Sequence, residues 1–276
     1  MYQKPTVPRS IGGVLDDTLQ LYKASFASCW LPALLTGLVS GAFTYFVLAV
    51  PITSGLPQAN PLLAAMDRYK NLGPAYNVGN IAVSVVTLLL SGMMIANIAA
   101  VSRGETPAFG TALSLSLRRL LAMIGATILF GLAVGVGFVL LLIPGIYLAV
   151  RLQLFLVPLI IEPQGPAASL GTSWRLVGGN WWRALTVVTV LFVILLVLEL
   201  LLGALTAAVG VFIGGRPIDT AHMIAKVSLA TLAIGAVVRV FTAPLICAVG
   251  VALYHDLLLR KGGADLEARL GALPQA

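Results

Sequence analysis

The chain has 276 residues, of which 59% are hydrophobic and only 10% charged; its net charge is +7 and its mean hydropathy +1.00. A soluble domain carries about 25% charged residues, so the composition excludes a separate soluble domain and the enzyme classes built on one, and the length is taken up by membrane spans of about 20 residues each. The basic residues sit in short loops beside apolar runs, where they set orientation and meet anionic headgroups, and this excludes a nucleic-acid-binding stripe.

In chain order, Ser10 is an N-cap followed by apolar residues at helical spacing (Ile11, Val14, Leu15, Leu19, Tyr22, Phe26), with Asp16, Asp17, Gln20 and Lys23 opposite. That pattern predicts an amphipathic helix lying in the membrane plane. Met1 to Ser28 holds too many polar residues for a signal peptide. The first span is expected from Cys29 to Val50, with Gly37 and Gly41 allowing close helix contact. A polar loop, Ile52–Asn77, leads to a second span, Val78–Val101.

A second amphipathic segment, Pro107–Arg119, precedes a glycine-rich third span, Leu120–Leu142, and Pro144-Gly145 is expected to turn the chain into a fourth span, Ile146–Ile161. A third amphipathic segment, Ala167–Val177, ends at the C-cap signal Gly178-Gly179. Trp181, Trp182 and Arg183 then form an interfacial anchor for a fifth span, Ala184–Ala208. The last apolar stretch, Ala221–Leu259, is too long for one straight span; it contains Pro244 and is expected to end at Arg260-Lys261-Gly262-Gly263.

The expected fold is therefore an all-α integral membrane protein, one polytopic domain over residues 1–276. Six transmembrane helices form three hairpins, each preceded by a cytoplasmic interfacial amphipathic helix, in pseudo-repeats at about 10–101, 107–162 and 167–259. Basic residues near span ends concentrate on one side (Lys4, Arg9, Lys23, Arg103, Arg118, Arg119, Arg175, Arg183, Arg260, Lys261, Arg269), against Arg68, Lys70, Arg216 and Lys226 on the other. The richer side is expected in the cytoplasm, with both termini inside a bacterial inner membrane.

Three charges fall within spans: Arg151, Glu199 and Arg239. Arg151 is expected about 9 Å below the Pro144 turn, and Glu199 and Arg239 about 24 Å from Arg183 and Asp256, taking ~1.5 Å rise per residue. Such a level is either a structural tie between hairpins or an anion or headgroup site. Glu162 is expected to pair with Arg175 or Arg183 at the cytoplasmic interface, where Arg118 and Arg119 also lie. His255 and Asp256 are adjacent on a helix and do not face each other, and no serine or cysteine completes a nucleophilic set. Cys29 and Cys247 lack metal or redox spacing. No metal site, cofactor or catalytic residue is expected.

The stretch Ile143-Pro144-Gly145-Ile146-Tyr147, Arg151, Pro158, Glu162, Gly165, Ser173-Trp174-Arg175-Leu176 and Gly179-Asn180-Trp181-Trp182-Arg183 resembles the membrane domain of bacterial glycerophosphoryl diester phosphodiesterases and YciC-like inner-membrane proteins. The segments Leu253–Lys261, Asp265–Glu267 and Ser10–Tyr22 are similar to that family's end and opening. The resemblance implies a six-span inner-membrane protein. It implies no phosphodiesterase activity, because that chemistry belongs to a separate barrel domain. The expected function is non-enzymatic: lipid binding or support of membrane lipid homeostasis. The alternative is a transporter or export-complex subunit with a buried Arg/Glu site. The expected partners are membrane lipids, with another membrane protein or a second copy also allowed, and no nucleic acid.

Overall fold

A computed structural model describes residues 4–49, 66, 69–214 and 220–271; most of the expected loop Ile52–Asn77 lies outside them. The described residues include the helices α1 (Ile11–Ala49), α2 (Pro74–Ser102), α3 (Phe109–Leu140), α4 (Leu142–Leu152), α5 (Leu156–Ile161), α6 (Pro166–Val177), α7 (Trp181–Gly214) and α8 (Thr220–Gly271). Six segments are long and apolar enough to cross a membrane.

Ser10 caps α1 as expected, its hydroxyl accepting from the Gly13 N–H at 3.1 Å. The amphipathic segment that follows is not a separate helix in the membrane plane. It runs unbroken into the span as one helix of 39 residues, about 58 Å at ~1.5 Å per residue. Its apolar face is needed elsewhere: Val14, Leu21, Cys29 and Ala33 are buried in the bundle core. Small polar residues on that face bond their own helix, Thr18 and Ser25 donating to Val14 O and Leu21 O at 2.7 and 2.8 Å. The second expected segment is likewise, from Phe109 to Arg119, the first part of α3, and only Ala167–Val177 stands apart, within α6. The three expected repeats therefore differ in build.

The core lies toward one end of the bundle. α1 and α8 pack antiparallel, with Arg9 against Asp256, Phe26 stacked on Phe241 at 5.7 Å and Gly37 against Ala236. α2 runs back along α1: Phe43 rests on Tyr76, and Asn97 Nδ2 donates to Ser28 O at 3.0 Å. At the α2–α3 turn, Arg103 forks the Glu105 carboxylate at 2.8 Å and holds its pKa below the usual range. This pair is exposed and contributes little stability.

The α3–α4 turn falls at Leu141, whose backbone is extended, rather than at Pro144-Gly145. Pro144 sits in the first turn of α4, where a missing N–H costs nothing. Gly137 and Gly145 meet back to back: a Cβ on Gly137 would lie 2.9 Å from Gly145 Cα. Gly131 and Gly135 face open space instead. Replacing Gly131 with alanine should therefore raise the melting temperature or leave it unchanged, through a helix-propensity gain of up to ~1 kcal/mol. Gly137→Ala, tested beside it in detergent, should lower it.

The expected fourth span is broken at Gln153–Phe155 into α4 and α5. Pro158 has no N–H to continue the ladder. Ser173 of α6 takes over the groups freed at the break, donating to Arg151 O at 3.0 Å and accepting from Leu154 N–H at 3.2 Å. At the C-terminus, α8 continues through Arg260–Gly263 to Gly271, with Pro244 inside it.

Candidate functional site: a cationic recess beside a buried clasp

α6 docks on the α4–α5 break, and this brings Arg151 onto Trp174. The guanidinium carbon lies 3.9 Å from the Trp174 ring centroid and 5.4 Å from that of Tyr147. Its Nε donates to Trp174 O at 3.3 Å and its Nη1 to the Tyr147 hydroxyl. A cation held by two aromatic faces and a carbonyl needs no carboxylate.

The Gly178-Gly179 turn that ends α6 fits around this cation. A Cβ on Gly178 would sit 2.8 Å from Arg151 Nη2. Gly179 has φ +83° and would place a Cβ 3.9 Å from Lys261 Nζ. Two consecutive glycines thus keep the backbone low beneath two cations. Gly178→Ala should displace the Arg151 guanidinium from Trp174, read as a change in tryptophan near-ultraviolet dichroism with helix content preserved.

Above that turn opens a recess of about 790 Å³ whose lining includes Arg151, Arg175, Lys261, Glu162, Trp174 and Leu258. Its one carboxylate is already engaged. Glu162 accepts from the Tyr254 hydroxyl and from Gln164 Nε2, the latter at 3.1 Å. Thr172 donates to Gln164 Oε1 at 3.0 Å, and Arg175 Nη2 donates to Thr172 Oγ1 at 3.2 Å. The expected pairing of Glu162 with Arg175 or Arg183 is not formed, because Tyr254 reaches the carboxylate first. Arg151, Arg175 and Lys261 thus face the recess, and among the described residues no carboxylate is bonded to any of them.

The other expected interface residues divide by role. Arg119 is structural: its Nη1 donates to Leu159 O and Glu162 O at 2.6 and 2.5 Å, capping the C-terminus of α5. Arg118 beside it is exposed. Trp181 stacks on Tyr147 at 5.8 Å and donates from Nε1 to Tyr147 O at 3.3 Å. Trp182, 75% exposed, is free to anchor at an interface.

Arg183 belongs to a clasp that sequence reasoning missed. It donates to Asp256 at 2.8 Å, and Arg260 to the same oxygen at 3.1 Å. The Arg9 N–H donates to the other carboxylate oxygen at 3.0 Å, while Arg183 also reaches Arg9 O at 2.6 Å. Asp256, 3% exposed, thereby ties α8 to the starts of α1 and α7. The i, i+4 spacing of Asp256 and Arg260 was the one signal in the sequence. His255 points elsewhere and is buried with Nδ1 unpartnered.

The expected level shared by Arg151, Glu199 and Arg239 is not formed. Arg151 is at the clasp end, against Gly178, because α4 ends before the break and α6 draws it there. Glu199 and Arg239 lie 16 and 17 residues from Arg183 and Asp256 along α7 and α8, about 24 and 26 Å at ~1.5 Å per residue. Both are exposed, and Arg239 stands beside Gly37 at the α1–α8 contact. Among the described residues, no ion pair joins Glu199 to Arg239 or Arg151, and no group of three or more His, Cys, Asp or Glu is placed to hold a metal. Cys29 and Cys247 are free thiols, both buried.

These features define a multi-pass helical membrane protein with a buried ionic clasp and a cationic recess at one end. The chain belongs to the family described as a domain of unknown function (DUF7847), which matches residues 61–257. Neither the curated proteins nor the solved structures yield a match.

Proposed function

We propose that this protein is a non-enzymatic component of a bacterial inner membrane that binds an anionic lipid headgroup on its cytoplasmic side. The observation that carries the reading is the recess in which Arg151, Arg175 and Lys261 converge while Glu162 is engaged by Tyr254 and Gln164. A headgroup phosphate supplies the negative charge and acceptor oxygens that these side chains lack. Trp182 and the apolar outer faces of α3, α4 and α7 are exposed and open to acyl chains. The concentration of basic residues at the same end supports a cytoplasmic clasp end and cytoplasmic termini.

Native mass spectrometry of protein washed stringently in mild detergent tests this. Wild type should retain an anionic phospholipid at one-to-one stoichiometry, and the Arg175→Glu/Lys261→Glu variant should lose it. A bare wild-type protein, or one holding a zwitterionic lipid equally well in both forms, contradicts the proposal.

A further inference from the structure

We infer that the α3–α4 hairpin does not cross the membrane but lies in the leaflet on the clasp side, so that α1, α2, α7 and α8 are the crossing segments. The inference is independent of the headgroup reading.

α7 fixes the frame. From Ala184 to Leu198 it carries no charge, and Phe192, Val193, Ile194, Leu196 and Val197 are exposed, so lipid covers this stretch and its near membrane edge is at Arg183. A core of ~30 Å needs about 20 residues of helix. Glycine contacts and hydrogen bonds then locate the hairpin against that edge. Trp181, two residues before Arg183, donates to Tyr147 O and stacks on the Tyr147 ring. Tyr147 is six residues from the turn at Leu141, about 9 Å at ~1.5 Å per residue. The tip therefore reaches no more than about half the depth of the core, in whatever direction α4 points.

The two ends of α3 agree. Arg119 touches Leu159 and Glu162, and Glu162 accepts from Tyr254, two residues from Asp256. Gly137 touches Gly145, two residues from Tyr147. Arg119 and Gly137 are 18 residues apart on one helix, about 27 Å, yet each is linked to the Arg183–Asp256 clasp by a short chain of contacts, Arg119 through Glu162 and Tyr254, Gly137 through Gly145, Tyr147 and Trp181. α3 must run across the bundle end there rather than away from it. Connectivity fits: α2 returns to the clasp end antiparallel to α1, and α7 departs from it.

The surface of the hairpin identifies its partner. No charged residue occurs from Leu120 to Val150, and Leu132, Val136, Val139 and Ile143 are all more than half exposed. The polar Thr127 bonds its own helix at Met123 O. Such a surface fits the acyl chains of one leaflet and no aqueous partner.

Single cysteines read the topology: Ala75→Cys near the start of α2, Glu105→Cys at the α2–α3 turn and Ile143→Cys at the hairpin tip, all exposed positions. The two native cysteines are buried and serve as the blank. A membrane-impermeant maleimide is applied to right-side-out and inside-out vesicles. Ile143→Cys should never react from the side on which Ala75→Cys reacts. An epitope inserted between Leu141 and Leu142 asks the same question without relying on thiol reactivity, and should be cleaved by protease from the Glu105 side. Reaction of Ile143→Cys, or cleavage of the epitope, from the Ala75 side overturns the inference.

Discussion

Replacing Asp256 with alanine should destabilise the protein more than any other single surface-end substitution, by about 3–5 kcal/mol, the range found when one partner of a buried ion pair is removed. The carboxylate is 3% exposed and accepts from Arg183, Arg260 and the Arg9 backbone. Without it, two guanidiniums remain close together with only the Arg9 carbonyl between them. Asp256→Asn should recover part of the loss, since it keeps an acceptor but not the charge. Thermal unfolding in detergent, followed by helical dichroism, reads both. A melting temperature for Asp256→Ala within error of wild type would show that the clasp holds nothing together.

Gly37→Val should be nearly as damaging. A Cβ there would lie 2.7 Å from Ala236 Cα and 3.0 Å from Ala236 O. Both are backbone atoms that cannot rotate away, so α1 and α8 must separate. Overpacking a well-fitted contact costs about 1–3 kcal/mol, and here it opens the longest helix pair in the molecule. The same assay should report a lower melting temperature, while Gly131→Ala serves as the harmless glycine substitution. Equal behaviour of the two would mean that α1 and α8 do not pack closely at Gly37.

Helix content, the membrane class, the Ser10 cap, the close contact at Gly37 and the Gly178-Gly179 stop were all legible in the sequence, because each depends on local pattern or backbone conformation. The depth of Arg151 was not. It was derived from helix rise along a straight fourth span, and the helix breaks at Gln153–Phe155. That break is stabilised by Ser173, about twenty residues downstream, whose hydroxyl no periodicity marks. The Asp256 clasp was hidden for a similar reason: Arg183 is 73 positions away. The amphipathic opening of α1 reads equally well as an interfacial helix or a bundle helix. The α8 surface opposite it decides between them, and that is tertiary information.

The recess divides in the same way. Arg175 was expected at the cytoplasmic interface from its flanking position, and Arg151 was singled out as a charge within an apolar run. Lys261 was read as a cytoplasmic-side cation within a stop signal; its approach to Gly179 was not legible, because it brings α8 against the turn that ends α6, 82 positions earlier in the chain.

Headgroup binding at the recess should show as lipid-dependent stabilisation. Purified protein is titrated with a short-chain phosphatidylglycerol, and separately with the matching phosphatidylcholine, at fixed detergent concentration. A ligand that binds only the folded state raises stability by about 1.4 kcal/mol at ten times its dissociation constant. The melting temperature should rise with the anionic lipid alone in wild type and stay flat in the Arg175→Glu/Lys261→Glu variant. Equal stabilisation by both lipids, or an undiminished response in the variant, would contradict headgroup binding at the recess.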